Sequence, residues 1–417
     1  MPKQFKKYIR SIFILGIALL ALIVGFNWFV NPFDIYGSPV INGFNADKPE
    51  MATHARMMKA YAVRVVQPET VIIGSSRALW GIDPNWEGWV YHPVYNLALQ
   101  GVNVYEELRY FQHAQNIHPL KQVLLNLDFF AFGTNMVNTP DFNENELSVD
   151  YNGKPTSGNG FSNIAPLFSL DTLLASLNTV RHQEKSLGNA SGLGNLNDGF
   201  GDINEIQDRI KTKGGYHAYF RDTTIEYLSG VYLPGAFQYN ITTPDSPYTY
   251  YRKILQIAYQ DGIDLRMAIS PCHARQWQIL EASGLWPRFE DWKRTLVMIN
   301  EEEAKLAGKA PFPLWDFGNY NELTTEPVPP LGDAITPMRW YWDSSHYKKE
   351  LGDLMLDEIF GYHSPGRVVP GNLGILINSQ NIENHLLIIR ADSQIYKETH
   401  PDDIKEIQDI AKTVKPK

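Results

Sequence analysis

Residues 11–30 carry no charge, and this run constrains the chain more than any other feature. It contains Ile12-Phe13-Ile14-Leu15 and Leu19-Leu20-Ala21-Leu22-Ile23-Val24, with no polar face that would let it lie on a water-soluble domain. The twenty residues 11–30 rise about 1.5 Å each as a helix, enough for the roughly 30 Å hydrocarbon core of a bilayer. Lys3, Lys6, Lys7 and Arg10 precede the run. A basic flank stays cytoplasmic, which places the remainder of the chain outside. Trp28 and Phe29 would then meet the outer interface. A cleaved signal peptide is the competing reading. It has a shorter apolar region and a small-x-small cleavage site, whereas this run ends in bulky Phe26-Asn27-Trp28-Phe29.

The expected organisation is a single-pass protein of the cytoplasmic membrane with its N-terminus inside. A cytoplasmic tail (1–10) and an anchor (11–30) lead into an exit segment and helix (31–66). The main periplasmic or extracytoplasmic domain follows (67–364), then a C-terminal extension (365–417) whose last fifteen residues are charged and expected to fray. At 417 residues the chain has room for one large domain or two modest ones. Hydrophobic residues at 44% and aromatics at 12% supply a sizeable core and exclude wholesale disorder. A net charge of −9 excludes broad nucleic-acid binding, which needs a cationic surface. Cys272 is the one cysteine, so no internal disulfide and no cysteine zinc site can form.

Two short apolar runs, Thr70-Val71-Ile72-Ile73 and Val123-Leu124-Leu125-Asn126-Leu127, suit parallel strands covered on both faces. Residues 264–269 and 313–317 are further strand candidates. Helical spacing is found over 52–66, 104–115, 248–260, 273–282, 291–306 and 349–360. Such alternation with short loops predicts an α/β fold, an open and mostly parallel sheet with helices on both faces. Between about 133 and 247 the pattern loosens. The stretch Gly188-Asn189-Ala190-Ser191-Gly192-Leu193-Gly194-Asn195 has a loop composition, and the region reads as a long insertion with a few helices.

Two segments carry chemistry. Ile73-Gly74-Ser75-Ser76-Arg77 runs from a strand into a glycine and two serines, and ligands of open α/β sheets bind beyond the carboxyl ends of strands. Asp343-Ser344-Ser345-His346-Tyr347 precedes a helix. An Asp three residues before a His accepts its Nδ1 proton and leaves Nε2 facing a serine as general base. A serine alone is a poor nucleophile, and this pairing makes it an effective one. Taken singly, Gly-Ser-Ser is a common loop and Asp-x-x-His a common cap.

Val71-Ile72-Ile73-Gly74-Ser75-Ser76-Arg77 with Gly81-Ile82-Asp83-Pro84 resembles the first block of SGNH (GDSL-like) hydrolases, in their exopolysaccharide-modifying branch. Asp343-x-x-His346-Tyr347, with Gly352 behind it, is similar to their last block. Alginate acetyltransferases and the D-alanyl transfer proteins of teichoic acid are members of that branch. The resemblance implies a flavodoxin-like, three-layer fold with a parallel central sheet outside the membrane. It implies Ser76 as nucleophile, with Ser75 the lesser candidate, His346 as base and Asp343 as its orienting partner. It also implies an oxyanion hole from the Ser76 N–H, the Gly101 N–H and an asparagine. Tyr95-Asn96-Leu97-Ala98-Leu99-Gln100-Gly101 resembles the second block, but the third departs from Gly-x-Asn-Asp as Asn126-Leu127-Asp128-Phe129. A carboxylate at Asp128 would repel an oxyanion, so either Asn126 or Asn96 would substitute, or Asp128 would serve a structural or substrate-binding role.

Other candidates for substrate contact are Arg77, Asn96, Asp128, His273 and Trp342. Arg77 would grip a sugar carboxylate or else pair with a structural acid, and His273 would line the cleft or else cap a helix. Of the aromatics Trp80, Trp86, Trp89, Trp340, Tyr341 and Trp342, one or two would form a sugar platform and the others core. Cys272 reads as a small buried hydrophobe and Asp316 as a turn or cap. His54, His92, His113, His118 and His217 show no ligand-like spacing with carboxylates, and neither a metal nor another cofactor is expected. The expected function is an extracytoplasmic serine esterase or O-acyltransferase acting on acyl groups of a cell-envelope polysaccharide, possessing a membrane acyl-donor partner if it transfers. The alternatives are a catalytically silent SGNH-like module that binds glycans or scaffolds an export complex, and a lipid-active esterase.

Overall fold

The computed structural model describes residues 3–156, 164–183, 198–233, 235–237 and 243–414. The Asn/Gly/Ser-rich stretch 188–195 lies outside the described residues. Helix α1 (Lys3–Val30) is long and apolar enough to cross a membrane, and its apolar window is unburied by protein. Then come α2 (Ala55–Val66), β1 (Thr70–Ile73), α3 (Ser76–Gly81), β2 (Val94–Asn96), α4 (Val104–Ile117) and β3 (Gln122–Leu127). The region expected to be an insertion carries α5 (Leu170–Arg181), α6 (Ile203–Lys213) and α7 (Tyr216–Glu226), which ends in a π-helical turn, Tyr227–Val231. The chain continues through α8 (Pro247–Asp261), β4 (Asp264–Ile269), α9 (Ala274–Ala282), α10 (Trp286–Ala307), β5 (Leu314–Asp316) and α11 (Lys349–Phe360). It ends with β6 (Ile375–Leu376), α12 (Ile382–Thr399) and α13 (Pro401–Thr413).

The strands form one sheet in the order β2-β1-β3-β4-β5-β6, parallel except for β6, which pairs antiparallel with β5. The sheet is therefore α/β and mixed, mostly parallel. Its apolar residues alternate between two cores, as strand periodicity requires. Val71, Ile73, Val123 and Leu125 meet α2, α4, α8 and α10 on one face. Ile72, Leu124 and Ala268 meet α3 and α11 on the other, where Ile206, Ile210 and Phe220 add α6 and α7. From β1 the chain goes outward to β2 and then back across to β3. The crevice beyond the carboxyl ends of β1 and β3 is thus the point where strand order reverses.

The expected fraying of the C-terminus does not occur through Thr413. Ile407 and Ile410 are buried, and the charges around them have a buried partner. Arg275 Nη1 lies 2.8 Å from Asp403, and Nη2 pairs with Glu406.

Candidate active site

Gly74 ends β1 with φ of +155°, and a Cβ there would lie 2.8 Å from the Asn126 Cβ. This glycine lets the chain turn tightly against β3 and enter α3 at once. Ser75 is the N-cap of α3: its Oγ accepts from the Arg77 N–H at 3.2 Å and donates to Asp128. With 0% exposure, Ser75 is closed to substrate. Ser76, one residue on, is partly exposed, and its Oγ lies 2.9 Å from His346 Nε2. Its N–H belongs to the first turn of the helix, where no backbone acceptor is available within the helix.

The histidine arrives on a closed turn. Tyr341 bridges antiparallel to Tyr347, and the Trp342 N–H donates to the His346 carbonyl at 2.9 Å. Inside the turn, His346 Nδ1–H donates to Asp343 Oδ2 at 2.8 Å. Asp343 Oδ1 accepts from the backbone N–H groups of Ser345 (2.7 Å) and His346 (2.9 Å). Burial works to raise the Asp343 carboxyl, but His346 and the two N–H groups outweigh it and hold it below the usual carboxylate range. An ionised Asp343 fixes the imidazole tautomer and leaves Nε2 free to accept from Ser76. The three side chains read from two segments 270 residues apart therefore form one continuous hydrogen-bonded chain.

The Gly101 loop is pinned beside them. Leu99 N–H donates to the Gly74 carbonyl at 2.9 Å, and Arg56 Nη2 holds the Gln100 carbonyl at 2.9 Å. A trans peptide directs its N–H opposite its carbonyl. The Gly101 N–H has no acceptor among the described residues, and Gly101 shares a cavity wall with Ser76. Neither the Ser76 N–H, at the first turn of its helix, nor the Gly101 N–H has a backbone acceptor among the described residues.

The other expected contacts are structural. Asp128 is not a bare charge facing the site: Arg77 Nη1 lies 2.7 Å from it, with both side chains buried. Arg77 consequently has no hand free for a sugar carboxylate. Its Nε donates to Ser345 Oγ (3.0 Å) and its Nη2 to the Tyr227 hydroxyl (3.3 Å). The Asn126 amide donates one of its two N–H groups to Ser270 Oγ at 2.7 Å. Asn96 donates to the Ala78 and Ile82 carbonyls, both at 2.9 Å, and accepts from the Ala98 N–H. His273 is the buried N-cap of α9 and bonds the Glu326 carbonyl at 2.7 Å; burial pushes it down to about 4. Trp342 is buried beneath Lys348, whose ammonium sits 4.3 Å from the ring. Asp316 is buried with Lys293 (2.6 Å) and His385 (2.9 Å). Burial pushes the Cys272 thiol up to about 12, so it is inert.

Ser76, Asp343 and His346 open into a cavity of about 950 Å³. Trp80 meets the His346 ring edge-on at 5.1 Å and is the one tryptophan among the described lining residues. The opposite wall comes from α6, α7 and the π turn. It brings Glu205, Asp208, Arg209, Lys213, Asp222, Glu226 and Tyr227, none of which the sequence reading singled out. Charged residues on helices ordinarily face water, so nothing in their own sequence marks them. The signal that was available is the helix itself: Asp202 as N-cap, followed by Ile203, Ile206 and Ile210 on one face. Tyr227 also reaches the triad turn, its hydroxyl 2.6 Å from Ser345 Oγ. No protein-family model, curated protein or solved structure matches this chain. The arrangement of the site itself therefore carries the functional reading. It holds a hydroxyl hydrogen-bonded to an imidazole, a buried carboxylate that orients that ring and, among the described residues, a Gly101 N–H with no acceptor.

Proposed function

We propose that this chain is a membrane-anchored serine esterase or O-acyltransferase of the SGNH (GDSL-like) type, acting outside the cytoplasm on acyl groups of a cell-envelope polysaccharide. The observation that carries the reading is the Ser76–His346–Asp343 hydrogen-bond chain opening into a large cavity. The β2-β1-β3-β4-β5 parallel order, with Ser76 at the reversal point, supports the flavodoxin-like assignment. The basic flank of α1 supports an N-terminus inside.

In this mechanism Ser76 Oγ attacks the ester carbonyl while His346 Nε2 takes its proton. The tetrahedral oxyanion is met by the Ser76 and Gly101 N–H groups. Collapse breaks the acyl C–O bond, and His346 returns the proton to the departing alcohol. Water attacking the resulting acyl-enzyme completes hydrolysis; a sugar hydroxyl completes transfer, with a membrane protein supplying the acyl donor. Phe130, Met136 and Val231 form an apolar side of the cavity that suits a short acyl group. Acidic groups outnumber basic ones among the described lining residues, with Asp47, Asp202, Glu205, Asp208, Asp222 and Glu226 against Arg209 and Lys213. Such a wall repels polyanions and favours an uncharged or ammonium-bearing ester over a uronate.

The engagement of Asn126 with Ser270 favours a second reading, a catalytically silent glycan-binding module, because it commits one of that amide's two N–H donors elsewhere. Turnover of p-nitrophenyl acetate by the detergent-solubilised full chain separates the two. The esterase reading predicts hydrolysis that falls by about 10³-fold or more in Ser76→Ala. Turnover unchanged by that substitution would remove Ser76 as nucleophile.

A further inference from the structure

The membrane-distal end of α1 does not stand free. Asn27 is fully buried, donating to the Leu167 carbonyl at 2.9 Å and accepting from Ser176 Oγ at 3.0 Å. Lys48 Nζ donates to the Val30 and Asn31 carbonyls, each at 2.8 Å, and Asn45 Nδ2 to the Phe29 carbonyl at 3.0 Å. The terminal carbonyls of the helix are satisfied this way. Two elements therefore collar its last turns, the loop 38–48 and the turn Ala165–Phe168 that runs into α5.

The outward side chains of the collar are apolar. Val40 (62%), Ile41 (44%), Ile164 (42%), Phe168 (42%), Leu170 (70%) and Leu174 (59%) are exposed. Leu170 and Leu174 are one turn apart on one face of α5, while Thr172, Ala175, Ser176 and Thr179 are buried. A helix facing water would place polar residues there. Asp171, in the first turn of α5, pairs with His54 Nε2 at 3.0 Å. Exposed apolar surface of this kind marks a contact site, and its continuity with α1 identifies what it contacts. The 28 residues of α1 extend about 42 Å; with the basic flank 3–10 on the inner side, residues 11–30 fill the roughly 30 Å core and the last turn ends at its outer boundary.

We propose that this collar seats the domain on the bilayer that α1 crosses, with Phe168, Leu170 and Leu174 entering the boundary between headgroups and acyl chains. The inference rests on α1 spanning the membrane. It also places the active cavity. His182, which follows the last turn of α5, lines it, as do Asp47 at the end of the collar loop and Pro49 just beyond it. Gln183 and Asp47 bond reciprocally and tie these parts together. α5 has 12 residues, about 18 Å, so the cavity opens within roughly one short helix of the lipid surface. An acyl ester presented at that surface is the substrate such a placement serves.

The test uses the full chain with Cys272→Ala, reconstituted in phosphatidylcholine–phosphatidylglycerol vesicles. An environment-sensitive fluorophore is attached at Leu174→Cys, at Phe168→Cys as an independent site, and at Ile395→Cys, an exposed position on α12 (58%). Seating on lipid predicts blue-shifted emission at 168 and 174. It also predicts quenching by headgroup-level spin-labelled lipid at least about two-fold stronger there than at 395. Equal, water-like emission and quenching at all three sites would overturn the collar. Removal of the chain from the vesicles by alkaline wash would overturn the span and the collar together. Neither readout involves Ser76, so failure of the esterase reading would leave this result intact.

Discussion

Two hydroxyls on one turn have opposite surroundings. Ser75 is closed off against Asp128 and caps a helix, whereas Ser76 faces the cavity and His346. What separates them is the Arg77–Asp128 pair beneath the turn, which is buried on both sides. Removing one member of a buried pair leaves an uncompensated charge, at a cost of about 3–5 kcal/mol. Arg77→Met should therefore destabilise the folded chain by that amount in thermal melts. The double variant Arg77→Met/Asp128→Leu should recover a large part of the loss. A double variant as unstable as the sum of the two singles would show that the pair is not coupled. Ser76, His346 and Asp343 were singled out in sequence because local spacing sets the Asp–His pairing, and the structure brings the three side chains into one hydrogen-bonded chain. For Arg77 and Asp128 a structural role was legible only as one of two alternatives, because the partners that settle it, Ser345 and Tyr227, lie far away along the chain.

Elements set the distance between the Ser76 turn and the His346 turn. α3 and α11 approach so closely that a Cβ on Gly352 would sit 1.7 Å from the Gly81 carbonyl oxygen. Gly352→Ala must push the helices apart, costing about 1–3 kcal/mol and drawing His346 away from Ser76. The measurable outcome is a lowered melting temperature together with reduced ester turnover; a variant with wild-type values in both would contradict the close contact. The long elements were legible in sequence. β1, β3 and β4 are unbroken apolar or alternating runs, and Thr70–Ile73, Gln122–Leu127 and Asp264–Ile269 match their expected bounds. β6, at two residues, is too short for any periodicity to register, and the three residues of β2, Val94-Tyr95-Asn96, lie in a stretch that reads as a site loop. α13 looked frayed because its charges, seen without Arg275, suggest only solvent.

At the scale of the whole molecule, one cavity is shared by the sheet crevice and by helices from the inserted region. Half of its wall was invisible in sequence for that reason: it exists only once α6 and α7 fold back over α3 and α11. Buried titratable groups in the same body give it a pH response. Burial pushes His273 down from 6.5 to about 4. As pH falls through that window the unfolded chain takes up the proton first, so the stabilisation present above 6.5 is lost toward 4, at roughly 1.4 kcal/mol per pH unit. Burial also raises the Glu146 carboxyl to about 7, which acts in the opposite sense, so the informative quantity is a difference. Between pH 6.5 and 5 the wild type should lose about 2 kcal/mol more than His273→Asn, which keeps a capping side chain on α9. Parallel pH profiles for the two proteins in thermal melts would contradict a neutral buried His273.

The central claim is that Ser76, and not its neighbour, becomes acylated. Treating the full-length protein with a fluorophosphonate and mapping the adduct by peptide mass spectrometry tests it most directly. The account predicts a single modification on Ser76, abolished in Ser76→Ala and slowed by about 10³-fold or more in His346→Ala. An unmodified Ser76, or equal labelling of the Ser76→Ala protein at another residue, would contradict it.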